Sequence, residues 1–406
     1  MRIVYLHQYF VTPDMAGGTR SFEMAKRLVR AGHEVHMITS EQGDAGSGRA
    51  WRVTDEHGIT VHWTPVPYNN YMGIRQRLGA FVSFAWRASA RATRLGGDVI
   101  FATSTPLTIA LPALVASTLR RRPFVFEVRD LWPAVPIAIG VLTNPVAIKL
   151  ARFLERLTYR RARHVVACAP GMREEIVASG VPGSKVSVIP NGCDDPQTDL
   201  DTNSLRDQHA WLGDRPLVLF AGTLGKVNDV SYLARVAAAT RRLDPEVRFV
   251  VIGDGAERPK VTELAEELGV LDENFFMLGS MPKPQVTVWL YAAELSYALF
   301  SGPRIVWKDA VQNKFFDAVA AGKPVAMNFR GWQTELALEA DIGLVTDPDD
   351  AEKAARTLLS ALHDGDWLAG VPDRARHMAR GPFSRDTLAR RLEEVLVDAS
   401  AGGSAQ

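Results

Sequence analysis

Short β-branched runs alternate with helix-period segments along this chain, and the alternation starts twice. In the first half, Ile3–Leu6, Val35–Ile38, Val99–Ala102, Phe124–Val128, Val165–Ala167 and Val186–Ile189 predict strands. Helices are expected near Thr19–Arg30, Gly73–Leu95, Thr108–Leu119, Pro145–Arg161 and Met172–Ala178, and Trp51–Thr64 reads as a hairpin turning near Asp55–Gly58. A second series begins at Leu217–Phe220 and continues through Arg248–Ile252, Phe275–Met277, Leu295–Ala298, Pro324–Met327 and Gly343–Val345. Its helices fall near Ser231–Arg242, Glu257–Leu268, Lys283–Ala293, Gln312–Ala321 and Asp350–His363. Such alternation covers both faces of a parallel sheet, so the fold class is α/β, with two Rossmann-like, doubly wound domains. Residues 1–195 are expected to form the first domain, 196–380 the second, and 381–406 a terminal helix (Ser384–Val397) with a disordered Gly/Ser/Ala tail from 400. The polar stretch Asp194–Asp214 reads as the linker. In such folds ligands bind at the carboxyl ends of the strands, here in an expected interdomain cleft.

A chain of 406 residues exceeds one ordinary core. No apolar run is long enough to span a bilayer, and the chain opens on a strand-like run rather than a charged leader, so a cytoplasmic protein is expected. Two cysteines, Cys168 and Cys193, cannot make a disulfide framework and fit a reducing compartment. Charge is uneven: residues 1–195 carry 24 Lys/Arg against 15 Asp/Glu, a net +9, and the remainder a net −8. A basic half suits an anionic partner. Nucleic acid is set aside, because there is no recognised module and no basic groove interleaved with aromatics. An acidic membrane surface or a phosphorylated acceptor fits better, with scattered solubilising arginine as the plain alternative. Phe81, Phe84 and Trp86 accompany Arg75, Arg77, Arg87, Arg91 and Arg94 on one helix, as on interfacial helices. Core packing explains those aromatics equally well.

The segment with the most chemistry runs from Asp309 to Val325. Asp309 and Asp317 flank the start of a helix with Asn313 and Lys314 between them, Gly322 stands where a left-handed cap belongs, and Pro324 stops continuation. A helix start offers unpaired N–H groups and a positive dipole end to phosphate, and a carboxylate a turn or two in can accept from ribose hydroxyls. Upstream, Arg304 and Lys308 would flank a pyrophosphate; a solvated loop is the alternative. Gly222-Thr223-Leu224-Gly225-Lys226 and Gly253-Asp254-Gly255 end two strands of the same half, and Gly279-Ser280-Met281 ends a third, suited to bonding a nucleobase through backbone groups.

In the first half, Gly17-Gly18 precedes a helix, where paired glycines let backbone N–H groups approach a ligand; a tight turn explains them as well. Arg129-Asp130-Leu131-Trp132-Pro133 follows a strand at its ligand-binding end, with a salt-bridged loop as the alternative. Asn191-Gly192 reads as a structural turn and Cys193 as a packed side chain. Asp347-Pro348-Asp349 reads as a helix cap with Pro at the first helical position, and Asp364-Gly365-Asp366 as a helix-breaking turn. Neither string has convergent partners for a metal.

Together these residues resemble a retaining glycosyltransferase of the GT-B fold, family 4. The stretches Arg129–Pro133 and Asn313–Asp317 resemble the bacterial branch of N-acetylfucosamine transferases for surface polysaccharide. The resemblance implies sugar transfer from a nucleotide donor, expected to be a UDP-sugar, bound as a co-substrate without cofactor or metal. It places the donor on the second domain, a lipid-linked or small glycoside acceptor on the first, and the last helix back on the first domain. It also implies work at the inner face of the cell membrane.

Asp309 and Asp317 take the positions of the family's two glutamates, the second on ribose hydroxyls and the first near the sugar, each one methylene shorter. After Gly222, where the family places Arg and Lys on the donor pyrophosphate, this chain has Thr223 and Asn228, and Lys226 is out of register. Arg304, Lys308 or Lys314 would then supply that charge. The family's first-domain histidine is replaced by Arg129, leaving Asp130 as the acceptor-side polar group. Two other readings fit the same architecture: a nucleotide-sugar 2-epimerase, and a non-catalytic nucleotide-sugar-binding partner of another transferase.

Overall fold

The computed structural model describes residues 1–42, 50–68, 72–194, 197 and 200–402. Its first half contains β1 (Arg2–Leu6), α1 (Arg20–Arg30), β2 (Glu34–Gln42), β3 (Arg52–Glu56), β4 (Ile59–Tyr68), α2 (Ile74–Leu95) and β5 (Val99–Thr103). Next come α3 (Ala110–Arg120), β6 (Phe124–Val128), α4 (Ala134–Ala138), α5 (Pro145–Arg161), β7 (His164–Ala167), α6 (Pro170–Ala178) and β8 (Val186–Val188). The second half begins with α7 (Thr202–Gln208), β9 (Leu217–Ala221), α8 (Val230–Leu243), β10 (Arg248–Ile252), α9 (Arg258–Glu267), β11 (Phe275–Leu278) and α10 (Lys283–Ala292). It continues with β12 (Leu295–Ala298), α11 (Arg304–Trp307), α12 (Asn313–Ala320), β13 (Val325–Met327), α13 (Trp332–Glu339), β14 (Gly343–Val345), α14 (Ala351–Leu362) and α15 (Gly365–Arg380). The last helix is α16 (Arg385–Ala401).

The chain divides into two compact units. One comprises Met1–Thr12, Thr19–Pro190 and Arg385–Gln406; the other comprises Pro13–Gly18 and Asn191–Ser384. In the first unit the sheet order is β3-β4-β2-β1-β5-β6-β7-β8, parallel throughout except for β3, which pairs antiparallel with β4. In the second it is β11-β10-β9-β12-β13-β14, all parallel. Continuous burial shows why: Ile3 to Leu6 of β1 and Leu217 to Phe220 of β9 are fully buried, as strands covered on both faces must be. Each sheet reverses its direction of winding once, between β1 and β5 and between β9 and β12, and the strand ends beside such a reversal open a crevice.

Helix α16 packs on the first unit. Leu388, Leu392 and Leu396, one turn apart, are fully buried, Asp386 accepts from Arg27 and Glu393 pairs with His33 at 2.9 Å. Residues 403–406 of the tail lie outside the described residues.

Three expectations are corrected. Asp194–Asp214 is not a plain linker, although 195, 196, 198 and 199 lie outside the described residues: it contains α7, capped by Asp201, whose side chain accepts from Ser204 N–H. Arg206 on that helix pairs with Glu294, and Leu212 is fully buried. The segment's polarity hid those anchors. Asp364 starts a helix rather than breaking one, accepting from Trp367 N–H at 2.9 Å at the head of α15, which runs on through Pro372. The cap of α14 is Asp350, which accepts from Glu352 and Lys353 N–H, and not the Asp347-Pro348 pair.

Candidate functional site

In the second unit the loops after β9 and β10 continue to pair beyond their strands. Gly222 N–H donates to Ile252 O at 2.9 Å and Leu224 N–H to Asp254 O at 3.0 Å. That pairing explains the glycines. A Cβ on Gly253, at φ +148°, would stand 1.9 Å from Gly222 O, and one on Gly255 would stand 2.5 Å from Leu224 O. Their smallness serves first to let one loop lie on the other. Thr223 and Lys226 on the outer loop are exposed; Asn228 donates to Thr223 O, and Ser301 donates to Lys226 O.

Lys314, in the first turn of α12, reaches the same point. Its Nζ lies 4.1 Å from the Phe220 ring centroid and 3.1 Å from where a Gly222 Cβ would be. Burial pushes its ammonium from the usual 10.5 down to about 7, because water is removed and no carboxylate among the described residues replaces it. A cation held in this way gains most from an arriving anion. Beside it, Asn313 keeps a buried Oδ1 that has no hydrogen-bond partner among the described residues. Gly18 faces the same side chain: a Cβ there would meet Asn313 Nδ2 at 2.6 Å. Pro13–Gly18 belongs to this unit, and Lys283 N–H donates to Pro13 O at 3.2 Å; Gly17 sits at φ +145°.

Asp317, one turn further along α12, forms an ion pair with Lys283 at the head of α10. Sequence reasoning missed Lys283; its position just after the Gly279–Pro282 loop was the available signal. Asp309 is buried, with Lys308 Nζ 3.7 Å from its Oδ2. Arg304 is exposed on the single turn of α11. Of the three expected phosphate cations, then, Lys314 stands at the paired glycine loops, Lys308 beside Asp309, and Arg304 in solvent. Gly279 and Ser280 are exposed, and Met281 lines a groove of about 370 Å³ with Leu278, Trp289, Leu205 of α7 and His209 just after it.

In the first unit the carboxyl ends of β1, β5 and β6 gather a second cluster. Glu127 is fully buried and accepts from Arg20 Nη2 at 2.7 Å and from Thr103 Oγ1; Arg20 also donates to Ile189 O and Pro190 O. Burial opposes charge on Glu127, but Arg20 overcomes it and holds the carboxyl below its usual range. Arg129 N–H donates to Ser104 Oγ at 3.0 Å, and its guanidinium lies 3.4 Å from His7 Nε2. Burial, with Arg129 adding to it, keeps His7 neutral well below the usual imidazole value. Asp130 opens to solvent at the rim; crowding by the surrounding protein raises its carboxyl, against the pull of Arg129. His7 and Arg20 escaped the sequence reading because each lies more than 100 residues from its partner. Among the described residues no three His, Cys, Asp or Glu side chains stand together as a metal would require.

Comparison with known proteins agrees with this architecture. Residues 16–192 match the family described as "Glycosyl transferase 4-like domain" and residues 201–380 the family described as "Glycosyl transferases group 1". The chain is 23% identical over 286 residues to the Escherichia coli (strain K12) glycosyl transferase WcaI, named for colanic acid biosynthesis, covering 66% of this chain and 70% of WcaI. It is 24% identical over 317 residues to a GDP-mannose-dependent α-(1-6)-phosphatidylinositol monomannoside mannosyltransferase of Mycolicibacterium smegmatis, covering 76% and 79%. Among solved structures, Anabaena HepE in complex with UDP superposes with a TM-score of 0.72 at 19% identity over 98% of this chain and 100% of that one. Two matched families that between them take in nearly the whole sequence, on two parallel-sheet units of this topology, make the chain a member of the family 4-like glycosyltransferases of the GT-B type.

Proposed function

We propose that this protein is a retaining transferase moving an N-acetylhexosamine, or a deoxy relative, from a nucleoside diphosphate to a glycoside acceptor. The observation that carries this reading is Lys314, a part-buried lysine whose ammonium is set against the paired glycine loops at the winding reversal of the second sheet. In this reading it neutralises the departing diphosphate, helped by the N–H groups at the head of α12. Asp317, oriented by Lys283, accepts from the ribose hydroxyls, and Asp309 lies toward the sugar. Asn313 turns its unpaired Oδ1 to a donor-sugar or acceptor hydroxyl. Gly279, Ser280 and Met281 frame the base, and Gly17 and Gly18 approach the sugar through backbone groups. On the first unit Arg129 and Asp130 hold the acceptor. Arg304 and Lys308 close over the diphosphate when donor binds. The leaving β-phosphate oxygen takes the acceptor proton, so no separate base and no metal is needed.

UDP and GDP donors both have precedent among the related proteins, and we favour UDP, with a lipid-linked acceptor for surface polysaccharide at the inner membrane face. The test is turnover of a panel of UDP- and GDP-sugars with lipid-diphosphate glycosides, in the presence of a chelator, with the product anomer read by NMR. Transfer with retention under chelation is expected. Inversion, or an absolute need for a divalent ion, would overturn the mechanism. Epimerised donor without any acceptor would instead favour the epimerase.

A further inference from the structure

In the first unit, α2, α3 and α5 join β4 to β5, β5 to β6 and β6 to β7, each crossing in the same direction along one parallel sheet. Right-handed crossovers in one direction place their helices on the same face, so these three form one layer. Most of the large apolar side chains left open to solvent among the described residues fall on this layer or at its edge. On α2, Leu78, Val82 and Trp86 recur at every fourth position, and Trp86 is 80% exposed. On α5, Leu150 and Phe153 are 63% and 64% exposed. Leu119 extends the row on α3. Of the aromatics singled out on α2, Phe84 is a core residue and Phe81 packs beside Tyr9, so Trp86 is the one that faces outward.

The charges around these residues have one sign. Exposed Arg94, Arg120, Arg121 and Arg122 border α2 and α3, while Lys149, Arg152 and Arg156 alternate with the open apolar positions of α5. Within the three helices the one acid is Glu155, partly buried and hydrogen-bonded to Tyr159, so it does not offset the cations at the surface. Apolar residues ringed by long basic side chains match an anionic bilayer, whose headgroups meet the cations and whose acyl boundary receives the apolar tips. A second copy of this chain would set cation against cation. No described helix is long and apolar enough to cross a membrane, so contact of this kind would be peripheral.

We propose that the outward face of α2, α3 and α5 docks the protein on an anionic lipid bilayer. This deepens the reading of a lipid-linked acceptor, yet it is measured without turnover, so the two can fail separately.

The experiment is co-sedimentation of the full chain with phosphatidylcholine vesicles, with and without a quarter of phosphatidylglycerol. Binding at least tenfold tighter to the anionic vesicles is expected, weakened by 0.5 M salt. The double variant Leu150→Glu/Phe153→Glu should lose tenfold or more, with an unchanged melting temperature and unchanged transfer to a soluble acceptor. Because both residues are already in solvent, folding is not at stake. Equal partition to both vesicle types, no binding to either, or full binding by the double variant would overturn the proposal. So would a dimer in solution that the double variant dissociates, which would assign the face to a second copy.

Discussion

Replacing Lys314 by Met should make the protein more stable and less active at once. The side chain is similar in length, but the ammonium is gone from a place where burial holds it near 7. Moving an ammonium from 10.5 to about 7 corresponds to about 5 kcal/mol, which is a ceiling. The face of Phe220 returns part of it, and residual water more, leaving ~2–3 kcal/mol at pH 6.5. For a unit of this size that is a rise in melting temperature of roughly 5–10 °C. The sign follows from linkage. The folded-state value lies below the unfolded one, so between about pH 7 and 10.5 the unfolded chain binds more protons and wild-type stability climbs with pH. The advantage of Met should therefore be full at pH 6.5 and nearly absent at pH 10. Differential scanning calorimetry at those two pH values, with turnover measured alongside, checks both halves. Turnover should fall at least 100-fold, as for loss of a charge-stabilising donor. A variant that melts at or below wild type at pH 6.5, or whose advantage persists unchanged at pH 10, would refute the reasoning.

Gly253→Ala should cost more than 2 kcal/mol and abolish donor binding, because its Cβ would collide with Gly222 O and push the paired loops apart; urea denaturation and a nucleotide thermal shift read the two effects. Glu127→Ala should cost ~3–5 kcal/mol by leaving Arg20 buried without its carboxylate, whereas Glu127→Met combined with Arg20→Leu should recover much of that loss in the same urea assay. Asp317→Ala should raise the donor KM at least tenfold with a melting temperature within a few degrees of wild type; an unchanged KM would remove its ribose role.

The layout of the fold was legible because the signals were local. Buried strand segments such as Ile3–Leu6 and Leu217–Phe220 are continuous apolar runs, and Gly322, at φ +69° just past α12, ends that helix where a left-handed residue was expected. Elements with weak local signals escaped. Helix α11 is one turn, α13 has no side-chain cap, and α15 contains Pro372 and starts from an Asp-Gly pair that resembles a turn.

At the candidate site, residue types could be read but their partners could not. Asp317 was visible without Lys283, Lys314 without the Phe220 ring it lies over, and Arg129 without His7. Such pairings join residues 34 to 122 positions apart, and only the topology brings them together. The glycines of the β9 and β10 loops read from sequence as ligand-facing, whereas the physical reason the structure shows is the approach of one loop to the other.

Isothermal titration of a nucleoside diphosphate against its parent nucleoside, at pH 8 in two buffers of different ionisation heat, bears directly on whether Lys314 holds a phosphate. UDP should bind at least tenfold tighter than uridine, with a net uptake of protons, as the depressed ammonium of the free protein is recharged by the diphosphate. That uptake should vanish in Lys314→Met. Equal affinity for UDP and uridine, or tight UDP binding with no proton taken up, would contradict the account.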